Sequence, residues 1–223
     1  MEKNEYTKKY DLTIIGGGLT GKLMLSLIQN CNIFDENKLC WINTDNEIFK
    51  DTRVSFINYK NFIQLQNNIQ FDVCDKDYTI INKIYLHNAL EKYPLILDDE
   101  NNHGIIIRND IIKKNIKFSK KKITIFNSKV VSTTFNEFNR HLILKDGTKI
   151  KSELVISADG SLSPLRELCK IKYFNKNLNH TIITGYLECK NFKTSMAKQI
   201  FLKDNFIGLL PLNNDKGLIN FVW

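Results

Sequence analysis

Three glycines at the spacing G-x-G-x-x-G, Gly16, Gly18 and Gly21 in DLTIIGGGLTG, are the residues of this chain best suited to ligand chemistry. A turn of this kind binds the phosphates of a dinucleotide through the backbone, and each glycine answers a separate need. Gly16 permits the tight turn out of a strand, Gly18 lets a pyrophosphate approach the main chain, and Gly21 lets the following helix pack against the sheet. The helix N-terminus then offers unpaired N–H groups and a partial positive charge. The same string also fits a glycine-rich turn in an unrelated α/β protein.

Other residues with chemical potential lie behind it. In a dinucleotide fold an acid about 20 residues past the glycines meets the ribose hydroxyls. Here that strand ends Asn43-Thr44-Asp45, so the carboxylate is either replaced by Asn43 or displaced to Asp45. The chain has only four arginines, Arg53, Arg108, Arg140 and Arg166. Arg53 in DTR and Arg108 after GIII suit bidentate contact with a phosphate or a ring edge, and equally suit surface ion pairs. In ISADGSLSPLR, Asp159 stands at the end of a strand, where ligands bind in open α/β sheets, and Gly160 permits close backbone approach. An Asp-Gly β-turn is the alternative there. His87, His103, His141 and His180 stand in unrelated contexts and read as surface residues, so no catalytic residue and no metal ligand is assigned.

The elements that must position these groups begin with a strand at residues 12–15, a helix at 22–29 and a second apolar strand at 39–44. That is the opening β-α-β of a doubly wound sheet. Residues 54–103 read as short strands and one short helix, too rich in large apolar residues to be disordered. Residues 104–116 read as a strand leading into an amphipathic helix. ITIFNSKVVSTTF and RHLILKDGTKIK read as an antiparallel pair or meander, with Asp146-Gly147 as a hairpin signal. LVISA reads as a buried strand. From residue 181 onward the pattern is a succession of antiparallel strands, which places a domain boundary at about residue 170.

Composition narrows the class. With 223 residues, 43% hydrophobic and 25% charged, the chain is an ordinary globular protein. No apolar run approaches the roughly 20 residues of a membrane span, and the first residues lack the apolar core of a secretory signal. Five cysteines without a C-x-x-C pair read as reduced thiols of a cytoplasmic protein. The net charge of +8 comes almost wholly from dispersed lysine, and Lys120-Lys121-Lys122 reads as a solvated loop. No nucleic-acid partner is expected, while attraction to an anionic membrane surface fits the charge.

In order, GGGLTG, DTRVSFIN, ISADGSLSPLR, AKQIFL, GLLPL and a final VW resemble the FAD-dependent aromatic hydroxylases of ubiquinone biosynthesis. These are group A flavoprotein monooxygenases with a p-hydroxybenzoate hydroxylase-like fold. The resemblance runs from about residue 10 to the last residue and is low over 58–103. It implies an α/β fold: an FAD-binding, Rossmann-like, doubly wound and mostly parallel sheet, with a second, largely antiparallel β substrate domain. It implies an FAD-binding domain over 1–57 and 104–170, with substrate-domain segments over 58–103 and 171–223. It further implies that Gly16, Gly18 and Gly21 hold the FAD pyrophosphate and that Asn43 or Asp45 meets the adenosine ribose. Arg53 and Arg108 match positions lining the flavin, and Asp159 with Gly160 matches the second fingerprint.

The implied activity is hydroxylation of a prenylated aromatic precursor of ubiquinone through a flavin C4a-hydroperoxide, with NAD(P)H or another reductant as electron donor. The implied setting is cytoplasmic and peripheral to the inner membrane, or within a multi-enzyme ubiquinone complex. Asn43 departs from the glutamate usual in the family. The family's third fingerprint, a Gly-Asp segment followed by a helix, has no counterpart here, so a C-terminally truncated chain is expected. Two alternatives stand beside this reading: a non-catalytic nucleotide-binding remnant, and a related flavin-dependent reductase or halogenase.

Overall fold

The computed structural model describes the chain except residues 1–7, 32, 36–37, 45–50, 52, 70, 137, 177, 190–191, 193–194 and 213–216. In chain order the first elements are β1 (Lys8–Ile15), α1 (Leu19–Cys31), β2 (Leu39–Ile42), β3 (Val54–Asn58), α2 (Tyr59–Asn68), β4 (Tyr78–Ile81), β5 (Lys83–Asn88), β6 (Leu95–Asp98), β7 (Gly104–Arg108) and α3 (Asn109–Asn115). There follow β8 (Thr124–Phe126), β9 (Val130–Phe135), β10 (Arg140–Leu144), β11 (Lys149–Ser157), α4 (Pro164–Leu168), β12 (Thr184–Glu188), β13 (Met196–Phe201), β14 (Phe206–Pro211) and β15 (Leu218–Val222). They divide into two compact units, Met1–Phe49 with Ile116–Asn175, and Lys50–Asn115 with Lys176–Trp223.

The first unit holds a six-stranded sheet in the order β8-β2-β1-β11-β10-β9. β8, β2, β1 and β11 run parallel, and β10 and β9 extend the sheet antiparallel. Alternation along the central strands explains why both of their faces are apolar. Leu12 and Ile14 of β1, with Leu39 and Trp41 of β2, join a cluster with Leu25 of α1. Ile15, Cys40 and Ile42 point the other way, into a cluster with Ile150 and Leu165 of α4. Strands buried on both faces read as continuous apolar runs, which is the pattern of TII and LCWI.

Three expectations are adjusted here. β1 and α1 are longer than the predicted 12–15 and 22–29, because β1 pairs with β11 from Lys8 onward. ITIF does not enter the meander: β8 pairs parallel with β2, and only β9, β10 and β11 form the antiparallel run. The cause is α1, whose Ser26 hydroxyl donates to the Lys117 carbonyl and whose Gln29 amide exchanges two bonds with the Ser119 backbone. These bonds draw the segment before β8 to the helix side of the sheet. LVISA is less enclosed than predicted, since β11 is most buried at Ile150 and Ser152 while Leu154 is half exposed. The Asp146-Gly147 hairpin forms as its chemistry dictates. Gly147 takes φ +85°, Asp146 accepts the Thr148 N–H at 3.0 Å, and Leu144 and Thr148 close the turn.

The second unit contains two sheets. One has the order β12-β15-β14-β13-β5-β6, antiparallel except for the β13–β5 pair. The other is β3-β7-β4, antiparallel throughout. β7 is its spine, with Ile105, Ile106 and Ile107 all fully buried. Phe62 of α2 packs against the rings of Phe71 and Tyr78. Residues 54–57 and 104–115 therefore pack in this unit, because β3 pairs with β7 and β7 with β4, whereas the expected cofactor domain included them.

Replacing a fully enclosed branched chain leaves a cavity, at a cost of about 2–5 kcal/mol. Ile106→Ala is expected to lower the unfolding free energy of the second unit by that amount. Leu154→Ala, at a half-exposed site, is expected to cost no more than about 0.5–1 kcal/mol. Equal losses in urea titrations would contradict this placement of the core.

Candidate functional site: a glycine turn and two fingerprints

Where β1 ends, the main chain is fixed from three sides. Gly16 donates to the Ile42 carbonyl at 2.9 Å, and Ala158 donates to the Ile15 carbonyl at 2.7 Å. The Trp41 indole N–H donates to the Gly16 carbonyl at 2.8 Å. Gly16 takes φ +115°, and a Cβ there would stand 2.1 Å from the Ala158 carbonyl oxygen. A Cβ on Gly21 would meet the Gly16 carbonyl oxygen at the same distance. Gly18 differs, since a Cβ there would have no neighbour within 4 Å. Two glycines of the motif thus serve packing, and the middle one faces open space at the N-terminus of α1.

That helix supplies its donors as expected. Lys22 N–H makes the first helical bond, to the Gly18 carbonyl at 3.1 Å. The N–H groups of Gly17 and Gly18 carry no hydrogen bond among the described residues. Beside the turn a cavity of about 290 Å³ is lined by Gly16, Ile42, Thr44, Lys129 and Asp159, among others. It lies at the carboxyl ends of β1, β2 and β11, the ligand position of an open α/β sheet. Asn43 donates its N–H to the Phe126 carbonyl at 2.9 Å, which continues the β2–β8 ladder. Asp45 lies outside the described residues.

Asp159 is occupied by its own turn. One carboxylate oxygen accepts from the hydroxyls of Ser157 and Ser163, and the other accepts from the Leu165 N–H at 3.1 Å. Burial raises its pKa, but these three donors outweigh that and hold it below the usual carboxylate value. Ser163 caps α4 by accepting the Arg166 N–H at 3.1 Å, with Pro164 opening the helix. Arg166 donates to the Ser161 carbonyl and lies 4.0 Å over the Tyr173 ring. Gly160 takes φ +95°, with nothing within 4 Å of a Cβ. ADGSLSPLR is a self-capped strand-to-helix turn that leaves Gly160 open on a second cavity of about 430 Å³, lined also by Thr133, Arg140, Val155 and Arg166 among others.

The other two expected arginines stand together at one end of β3 and β7, in the second unit. Val54 pairs with Arg108, and Asn109 N–H donates to the Arg53 carbonyl. Arg53 grips Asp51 through Nε and Nη2 at 2.8 Å each, with its side chain 71% exposed. Arg108 grips Asp110 in the same bidentate way. The Arg53 bond, supported by Asn109, holds the Asp51 carboxyl at about 2. Both arginines make the ion pairs that the sequence offered as their alternative role.

Gly16, Gly18, Gly21, Asn43, Asp159 and Gly160 are thus gathered in the first unit, and Arg53 and Arg108 in the second. Trp41 and Ser157, which hold Gly16 and Asp159, were not singled out from the sequence. An indole at the end of an LCWI strand signals core until its N–H partner is seen.

No family profile matches the chain. Its fold is that of flavin-dependent aromatic hydroxylases. It superposes on 2,6-dihydroxypyridine-3-hydroxylase from Arthrobacter nicotinovorans with a TM-score of 0.71 at 14% identity, covering 98% of this chain and 56% of that one. It superposes on CtdE, solved in complex with FAD and a substrate, with a TM-score of 0.72 at 15% identity, over 96% and 56%. In sequence it is 24% identical over 239 residues to the mitochondrial ubiquinone biosynthesis monooxygenase COQ6 of Homo sapiens, covering 96% of this chain and 50% of that protein. In sequence the chain is similar to ubiquinone biosynthesis monooxygenases, and it spans about half the length of the curated relatives it matches.

Two substitutions separate packing from binding at the turn. Gly21→Ala is expected to destabilise the first unit, because backbone stands where its Cβ must go. Gly18→Ala is expected to leave the thermal midpoint within a degree or two while filling the open cradle. A second prediction concerns pH. The folded pKa of Asp159 lies below its unfolded value near 3.9, so its stabilisation is present above that value and lost as pH falls through the folded pKa. Asp159→Asn is expected to flatten the fall in stability below about pH 4, measured by urea titration at stepped pH.

Proposed function

We propose that the first unit binds FAD and that the whole protein is a flavin monooxygenase acting on a prenylated phenol of ubiquinone biosynthesis. The observation that carries this is the cradle itself: open space at Gly18, Gly17 and Gly18 N–H groups with no hydrogen bond among the described residues, and a cavity at the carboxyl ends of parallel strands. These groups suit a pyrophosphate, and the likeness to ubiquinone biosynthesis monooxygenases and to a structure solved with FAD supports the identity of the cofactor. Gly17 and Gly18 would hold the phosphates, Asn43 and Thr44 stand where the adenosine ribose would lie, and Gly160 gives the main chain a close approach. FAD, reduced by NAD(P)H, supplies the oxygen-activating chemistry.

The proposed functional division assigns cofactor binding to residues 1–57 and 104–170 and substrate binding to 58–103 and 171–223. Arg53 and Arg108, which that division counts with the cofactor-binding residues, pack in the second compact unit. Their carboxylate partners fix their orientation, and their remaining donors present a charged edge. A prenylated substrate brings the protein to a lipid surface, and a net charge of +8 favours an anionic one. No helix among the described residues is long and apolar enough to cross a membrane.

Purification of the chain is expected to yield a yellow protein, or one that turns yellow on adding FAD. Saturation at about one hundred times Kd is expected to add about 2.7 kcal/mol of stability, read as a thermal shift. ADP is expected to compete. A colourless, folded chain whose thermal midpoint ignores FAD would overturn the assignment of the cradle.

A further inference from the structure

We infer that Trp41 is a positioning residue of the phosphate turn, one that sets the direction of the Gly17 N–H. The inference rests on the FAD reading for its ligand but not for its geometry. Trp41 is 4% exposed on the α1 side of β2, and its indole N–H donates to the Gly16 carbonyl at 2.8 Å. That carbonyl and the Gly17 N–H belong to one planar trans peptide, so they point in opposite directions. Anchoring the oxygen on the indole therefore aims the N–H away from the core. Gly17 N–H makes no other bond among the described residues, and Gly16, at φ +115°, has no side chain to resist rotation of this peptide. The indole supplies the restraint that the glycines lack.

The indole is itself held. Phe118 meets it edge-on, with centroids 5.4 Å apart and planes at 86°. The Phe118 segment is bonded on both sides to α1, through Ser26 to Lys117 and through Gln29 to Ser119. A chain of contacts thus runs from the body of α1 through Phe118 and Trp41 to the peptide before its N-terminus. The turn and the helix donors are fixed as one body, which lowers the ordering cost of binding a phosphate. The simpler role, in which Gly16 merely satisfies a buried indole, predicts an effect on stability alone.

The test is Trp41→Phe in the full chain, which keeps an apolar ring and removes the donor. In the ligand-free protein the amide resonances of Gly17 and Gly18 are expected to shift and broaden, while those of Leu25 and Leu39 in the same cluster stay in place. The FAD dissociation constant is expected to rise about tenfold, the scale of one restraining hydrogen bond. Unmoved Gly17 and Gly18 amides, with or without a lower thermal midpoint, would overturn the inference. Failure of the wild-type chain to bind FAD would overturn the cofactor reading, while the ligand-free amides still decide the role of Trp41. Should Trp41→Phe not fold, Phe118→Leu removes the brace and keeps the donor. It is expected to weaken FAD binding several-fold, and unchanged binding together with unmoved Gly17 and Gly18 amides would overturn the inference.

Discussion

A Cβ on Gly16 would lie 2.1 Å from the carbonyl oxygen of Ala158, and the first unit is built around the absence of that atom. Because Gly16 has none, β1 and β11 stay in parallel register up to Ile15 and Ser157, and Ala158 can still donate to the Ile15 carbonyl beyond the last pair. Because Gly21 has none, α1 can start over the Gly16 carbonyl instead of several ångströms away. The glycine turn and the Asp159-Gly160 turn therefore share one steric constraint. The end of β11, which leads into Asp159-Gly160, and the end of β1, which leads into the glycine turn, are in backbone contact.

The acidic and hydroxyl groups around that contact are spent on shape. Asp159 has three donors from its own loop, Ser157, Ser163 and Leu165. Its charge stabilises the turn and the start of α4, which is too short to form without such support. What the turn exposes instead is backbone, at Gly160. The groups left open to a ligand here are main-chain N–H groups and a helix N-terminus, which bring no side-chain entropy to be lost.

The opening β-α-β and the Asp146-Gly147 hairpin were legible in the sequence because their signals are local: continuous apolar runs, glycines at fixed spacing, and an Asp-Gly turn. The family order of motifs extended the reading to the end of the chain. What local pattern cannot show is pairing. Nothing in ITIF distinguishes a strand parallel to β2 from one in the meander, since the choice is made by Ser26 and Gln29 about 90 residues away. The roles of Asp159 and Arg53 were ambiguous for the same reason. Each had a ligand-facing reading and a neighbour-facing one, and the neighbours that resolve the geometry, Ser157 and Asp51, are ordinary residues. Trp41 was hidden by its own apolarity.

The two arginine pairs carry a related logic. Asp51 precedes Arg53 by two residues and Asp110 follows Arg108 by two, at facing ends of β3 and β7. In both, Nε and Nη2 take the carboxylate, and no bond engages Nη1 among the described residues. A guanidinium held on one edge keeps donors for an acceptor on the other. The side chain has already lost its rotamer freedom to the first partner. An exposed ion pair of this kind adds little to stability. The arrangement leaves a fixed row of donors, so the neighbour-facing and ligand-facing readings of these arginines are compatible. The carboxylate aims the cation, and the edge left over remains able to receive an anionic or carbonyl-rich partner.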